Sequence, residues 1–443
     1  MIVLPAFGLL LVGFFPALVA DRGLLVNNYQ GVSDLLDQNL PFGVVAARHL
    51  REGEIPLWVP ESQNGYPFLA EGQAGFFDPI NLLVRLLFPP ERQVNPLLLG
   101  ALFLLACNTY LFARALRLPP LCAFAAASLF SGSGFVIVHT PHLNLLHALV
   151  WLPLHLLAIR RIIERPGVRG GLLLAVATAL QVTAGHPPTL FLSLLLDALL
   201  VAVGVVSRFR RKEGRRVAKI VGMAGGGVAV GFLLAAVQLV PTLELLGESQ
   251  RSGGLPREAV CLGSLPAERL FTLVSPFAFG DESRGTFPSS PSEIFFEQTG
   301  YLGLLPLAFP FLLLGSASFR RRSDVRAFLA LLLFGIVMAL GCHTPFYRLL
   351  ARLPPWNLFR MPGRYLLYVD FALAFLFAIA LGHPALRRRG IRLLLLGVAL
   401  FDLGRFAHRY LDTVDRKAWF TPPQSVAFLR KDRDDFRIWT VGA

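Results

Sequence analysis

Charge is scarce in this chain: Asp, Glu, Lys and Arg together make up 16% of 443 residues, while 54% are hydrophobic. Cysteine is scarcer, with four in all, and no spacing among them resembles a metal site or a redox motif. Cys107 and Cys122 fall inside apolar stretches. Cys261 and Cys342 both fall on the outer side in the topology that the placement of charge implies, so a bridge is open to them, although the expectation is two free thiols. There is no internal repeat, which argues against the repeated halves common in transporters, and no low-complexity segment. Met1–Ala20 lacks the basic start and the cleavage site of a signal peptide, so it is expected to be an uncleaved first helix.

The chain does have hydrophobicity in blocks of about twenty residues, the length needed to cross about 30 Å of hydrocarbon. Leu98–Ala115, Leu190–Val206, Val217–Val240, Phe328–Gly341 and Tyr365–Leu381 are examples. Backbone groups in lipid must bond internally, so helices are the expected solution. The spacing predicts spans at 2–20, 96–115, 120–138, 143–161, 170–186, 188–206, 217–241, 297–315, 325–342, 364–382 and 391–408. The expected fold is an all-α polytopic membrane protein with about 11 transmembrane helices.

The net charge of +14 would suit nucleic acid, but its placement argues otherwise. Half of the Lys and Arg residues fall in five short segments: 114–117, 160–169, 208–219, 320–326 and 387–392. These are alternate loops, the positive-inside signature. The expected address is therefore the cytoplasmic (inner) membrane, N-terminus inside and the tail after Tyr410 outside. The lipid bilayer is the expected partner, with anionic cytoplasmic lipid as a secondary one, and nucleic acid is not.

This topology puts residues 1–408 in a transmembrane domain, with long outer loops at 21–95, 242–296 and 343–363 and a tail at 409–443. In the first loop, Pro41 fits the start of a helix that Gly53 would close. Phe42, Val45, Ala46 and Leu50 share one face of it, which describes an amphipathic helix in the membrane interface. Asp78-Pro79 starts a second, shorter helix. In the tail, Ser425–Lys431 reads as helix and Phe436–Trp439 as a strand, expected to begin a further outer module.

The strongest candidate cluster is Ser33-Asp34-Leu35-Leu36-Asp37-Gln38, where spacings of three and four put Asp34, Asp37 and Gln38 on one side of a helical turn. A carboxylate at a lipid–water boundary is partly desolvated, which suits a general base. A plain helix cap before Pro41 would account for Asp34 equally well. Arg251, Arg360 and Arg364 break the positive-inside trend and would suit phosphate oxygens, or would simply snorkel. Trp58, Tyr66, Phe68, Phe76 and Phe77 could stack on a sugar, but Trp and Tyr favour any interface. His139, His142 and His147 fit no standard zinc pattern; a divalent metal stays open as a cofactor, with no ligand set visible. Among the intramembrane acids Asp197, Asp370 and Asp402, Asp197 is the deepest, with helix–helix hydrogen bonding as its plain explanation.

Several motifs occur in a telling order. They are Asp34-x-x-x-Gln38-x-x-Pro41-Phe42, Gly53-Glu-Ile-Pro56-Leu-Trp58-x-Pro60, Gly65-Tyr66-Pro67 and Gln73-x-Gly75-x-Phe77-x-Pro79. Gly185-His186-Pro187, Glu297-x-x-Gly300-Tyr301-x-Gly303 and Phe359-Arg360-Met-Pro362-x-Arg364 come next along the chain. Together they resemble the YfhO family of bacterial membrane proteins, which are similar to GT-C glycosyltransferases. The resemblance implies sugar transfer from a polyprenyl-phosphate-linked donor to a cell-envelope glycan or polymer. It implies Asp34 as catalytic base, Asp37 as second choice, and Gln38, Trp58, Tyr66, His186, Arg251, Glu297, Tyr301, Arg360 and Arg364 as substrate-binding. The rival expectations are a transporter or flippase of a lipid-linked precursor and a non-catalytic envelope-assembly scaffold.

Overall fold

The computed structural model describes residues 3–26, 33–60, 62, 65–288 and 293–431. Among them six helices are long and apolar enough to cross a membrane: Val94–Ala115, Pro120–Val138, Leu143–Glu164, Pro187–Phe209, Gly214–Leu234 and Pro362–Leu381. Each falls on an expected span. Helices also occupy the other five, but they are shorter or more charged: Val3–Phe14, Val168–Thr183, Leu304–Leu312, Ser323–Ala339 and Arg389–Tyr410. Two helix boundaries leave residues outside helices that the expected spans would have covered. Val168–Thr183 stops before Gly185-His186, and the segment expected at 297–315 becomes helical only at Leu304, leaving Glu297 outside it.

Leu366–Leu381 is the central post, with every residue buried. Such a helix is apolar all round because it meets protein on all sides. Beside it the Pro120–Val138 rod breaks at Gly132-Ser133, and the loosened backbone is satisfied from the post: Phe135 N–H donates to Asp370 Oδ2 at 3.0 Å. Asp197 accepts from His155 Nδ1 at 2.7 Å. Both acids therefore join helices, which for Asp197 is the plain explanation expected of it. Asp402 accepts from Tyr301 Oη at 2.9 Å and from Leu304 N–H at 3.1 Å.

The first loop carries the two expected helices, Leu40–Glu52, closed by Gly53 in the left-handed region (φ 75°), and Pro79–Leu87, capped by Asp78. The apolar face of the first was expected to meet lipid. Instead Phe42, Val45, Ala46 and Leu50 pack on a small core built by the loop itself, with Val59, Phe68, Leu69, Ala74 and Phe76. A buried polar network then locks this loop to the bundle. Asp78 Oδ2 lies 2.7 Å from His147 Nδ1, Asn81 donates to the Gly75 carbonyl at 3.0 Å, and Arg85 donates to the Ala74 carbonyl at 2.7 Å. Burial pulls the Arg85 guanidinium down to about 10, against the pull of Asp78.

A two-stranded antiparallel ribbon pairs Gly23–Val26, at the root of the first loop, with Asp412–Asp415 at the root of the tail. Neither strand is predicted from sequence; four residues carry too little pattern. The tail helix forms as Gln424–Leu429, and the expected strand Phe436–Trp439 lies outside the described residues.

The two cysteines expected to be free are in fact bridged. Cys261 and Cys342 form a disulfide, their Cα atoms 5.5 Å apart, tying the 242–296 loop to the end of Ser323–Ala339. Sequence spacing could not decide this, because 81 residues separate the two and only the fold brings them together. Closing so long a loop removes about 4 kcal/mol of unfolded-chain freedom in the chain-entropy picture. A reductant is expected to lower the thermal midpoint of the purified protein, and a Cys261→Ser/Cys342→Ser variant to melt at that lower value with or without it. Alkylation of the unreduced, denatured protein is expected to label Cys107 and Cys122 alone.

Candidate functional site

A cavity of about 700 Å³ lies where the first loop, the Gly185–Pro188 turn, the 242–296 loop and the 358–364 segment meet. Asp34 opens a short turn, Asp34–Asn39, that runs straight into Leu40–Glu52. Its side chain is 53% exposed and faces the cavity, with His142 Nε2 at 3.5 Å from Oδ2. Burial raises the Asp34 carboxyl above its usual range, the Asp37 charge raises it further, and Arg364 opposes both. Asp37 itself turns back as a cap, accepting from Ser33 N–H at 2.6 Å.

Across the cavity stand three arginines. Gly363 lets the chain pass against the Glu297 carbonyl, where a Cβ would overlap it, and this places Arg364 beside Glu297. Two guanidinium nitrogens donate to one oxygen of that carboxylate, Nε to Oε1 at 2.8 Å and Nη2 to Oε1 at 2.7 Å, and Nε also reaches Oε2 at 3.2 Å. Glu297 is fully buried. Burial alone would raise its carboxyl, but Arg364 and then His139 outweigh it and hold it at about 2. Arg360 and Arg251 have no carboxylate partner among the described residues; Arg251 reaches only the Leu358 carbonyl at 3.5 Å. Burial, then the charges of Arg360 and Arg364, lower the Arg251 guanidinium. Of these three cations only Arg364 has a carboxylate ion pair among the described residues. Such an arrangement suits a ligand that brings negative charge, and planar guanidinium forks suit phosphate.

Two imidazoles bridge the poles. Gly185, at φ 78°, packs on the Gly72 carbonyl, so only glycine fits before His186. His186 Nδ1 takes hydrogen bonds from Thr189 Oγ1 at 2.7 Å and Thr189 N–H at 3.3 Å. Burial and the nearby Arg364 charge push the His186 imidazole well below its usual range. Burial, then His139, pushes His142 down to about 3.

Another part of the lining is polar, with amides around one carboxylate. Glu71 accepts from Gln73 N–H at 2.9 Å and from the Gln73 amide, and the Tyr66 hydroxyl bonds it from behind. Gln73 Oε1 in turn accepts from Asn144 Nδ2 at 3.1 Å. Burial raises the Glu71 carboxyl, against the bonds from Gln73 and Tyr66.

The fold therefore brings Asp34, His186, Arg251, Glu297, Arg360 and Arg364 together in the cavity lining. Asp37, Gln38, Trp58, Tyr66 and Tyr301 do not line it. Trp58 covers Gly65, Tyr66 supports Glu71, and Tyr301 is taken up by Asp402. Sequence reasoning missed Glu71 and Asn144, which carry no local pattern, and read His142 only as one of a histidine group that fits no standard zinc pattern. Gln73 did have a signal, as the first residue of Gln73-x-Gly75-x-Phe77-x-Pro79. Among the described residues one trio brings His and Glu ligand atoms within 4.8 Å of one another, His49, Glu52 and Glu54, and none of the three lines the cavity.

A family model for bacterial membrane protein YfhO matches residues 27–407. No curated protein and no solved structure matches the chain. With the match covering the bulk of its length, the chain belongs to the YfhO family of bacterial membrane proteins.

Proposed function

We propose that this protein is a membrane glycosyltransferase that takes a sugar from a polyprenyl-phosphate donor and places it on a cell-envelope glycan or polymer. The observation that carries the reading is the cavity itself, where a half-exposed, destabilised carboxylate shares the lining with three arginines, of which only Arg364 is paired with a carboxylate. Transfer needs both poles. Asp34 takes the proton of the acceptor hydroxyl as that oxygen bonds to the sugar's anomeric carbon. The bond from that carbon to the phosphate oxygen breaks, and its electron pair leaves with the phosphate. Arg251, Arg360 and Arg364 meet the growing charge there. A residue with the Asp37 geometry, turned back on its own backbone, fits the second-choice role poorly.

In the same reading the chain crosses the inner membrane eleven times, N-terminus inside, with residues 1–408 as the catalytic domain. The Cys261–Cys342 bridge supports putting the cavity end outside, since disulfides persist in oxidising compartments. The concentration of polar groups at one end favours chemistry on a lipid headgroup over a pathway through the midplane.

The test is extracytoplasmic glycan labelling in cells carrying the intact protein or Asp34→Asn at equal membrane abundance. Labelling that depends on the intact protein and vanishes in the variant supports transfer. Equal labelling from both removes Asp34 from the chemistry, and none from either moves the weight to a transporter or scaffold.

A further inference from the structure

The two ends of the cavity are chemically different, and the arginine end answers only half of a transfer reaction. The other half is an acceptor, and the polar lining that Glu71, Gln73 and Asn144 add to the same cavity has the features of a site for one. Its outer members are Gln73, exposed, and Asn144, half-buried, joined by a hydrogen bond at 3.1 Å. Behind them Glu71 is fixed by Gln73 N–H and by the Tyr66 hydroxyl. Asn144 is itself fixed, its Oδ1 accepting from Leu145 N–H at 2.8 Å. It sits two residues from His142, whose Nε2 lies 3.5 Å from Asp34. Planar amides and a carboxylate held by their neighbours offer donors and acceptors in fixed directions, which is what reading several hydroxyl groups requires. None of the three arginines belongs to this wall, so nothing in it favours an anion.

The chemistry of the lining separates the two partners. In a direct displacement the leaving phosphate and the attacking oxygen lie on opposite sides of the anomeric carbon. Phosphate at the arginines and the attacking hydroxyl at Asp34 leave Glu71, Gln73 and Asn144, which line the same cavity, for the rest of the acceptor. We infer that Glu71, Gln73 and Asn144 form the acceptor subsite, and that it takes the neutral, hydroxyl-rich face of a carbohydrate. This rests on the glycosyltransferase reading for the word acceptor, but not for the hydroxyl chemistry.

Two measurements separate those parts. In the first, saturation-transfer NMR on the purified full chain uses methyl glucopyranoside as probe. Signals are expected on the intact protein and on Asp34→Asn, and are expected to vanish in Gln73→Ala/Asn144→Ala. Asn144→Asp is the companion variant: it keeps the cap on Leu145 N–H, so folding is preserved, while the amide donor is lost. Signals that persist in both wall variants, or are absent from the intact protein, overturn the subsite. The second is transfer kinetics with donor and acceptor varied in turn. The wall variants are expected to raise the acceptor KM about tenfold, the loss of roughly one good hydrogen bond, with donor KM and kcat held. A rise in donor KM instead would assign the wall to the donor sugar and overturn the acceptor role. Probe binding without any transfer by the intact protein would overturn the acceptor role, sink the glycosyltransferase reading and leave the hydroxyl site standing.

Discussion

Asp34→Asn is expected to lower the transfer rate by about 10²–10⁴-fold, the usual contribution of a positioned general base. Membrane abundance and melting should hold, because the side chain is half-exposed and its nearest polar partner is a neutral imidazole at 3.5 Å. The pH profile gives a second, sharper readout. A base works in its ionised form, so activity is lost as pH falls through its pKa. Burial, then Asp37, raises that value above the ordinary carboxylate range, with Arg364 opposing. The acid limb of kcat/KM should accordingly lie above that range in the intact protein. Asp37→Asn should move the limb to lower pH while preserving activity, since an amide oxygen can still accept from Ser33 N–H. An acid limb unmoved in Asp37→Asn, or a residual Asp34→Asn activity with the same limb, would assign the titration to another group.

Glu297→Ala is expected to be the most damaging single change to stability. The carboxylate is fully buried and Arg364 is 17% exposed, so deletion leaves a guanidinium without its counter-ion. Breaking such a pair costs about 3–5 kcal/mol. The same pair sets an acid-side stability limit. Glu297 goes from 4.5 in the unfolded chain to about 2 in the folded one. Its contribution is complete above 4.5 and is lost as pH falls toward 2. Differential scanning fluorimetry in detergent should show this acid loss in the intact protein and its absence in Glu297→Gln. A Glu297→Met/Arg364→Met double variant should recover much of the melting temperature and none of the transfer. Recovered transfer would make the pair a structural strut alone.

The membrane-spanning character and the family were legible in the sequence because both are written in local pattern. An apolar block of twenty residues has one solution in lipid, and short motifs survive in order along the chain. The two first-loop helices were legible for the same reason: Pro41 with Gly53, and Asp78 with Pro79, are start and stop signals that act within a turn. Six of the site residues could also be read, through motifs or through arginines misplaced against the charge trend.

What only the tertiary structure decided were contacts between distant segments. The Cys261–Cys342 bridge, the Gly23–Val26 and Asp412–Asp415 ribbon and the Asp34–His142 approach each join parts that no local window sees together. The apolar face of Leu40–Glu52 shows the same limit, since periodicity fixes which residues share a face but not what that face meets. The contrast is sharpest at Asp34 and Asp37. They are three residues apart with the same chemistry, and the sequence ranks them only by resemblance. Backbone direction separates them, turning one carboxylate into the cavity and spending the other on Ser33 N–H.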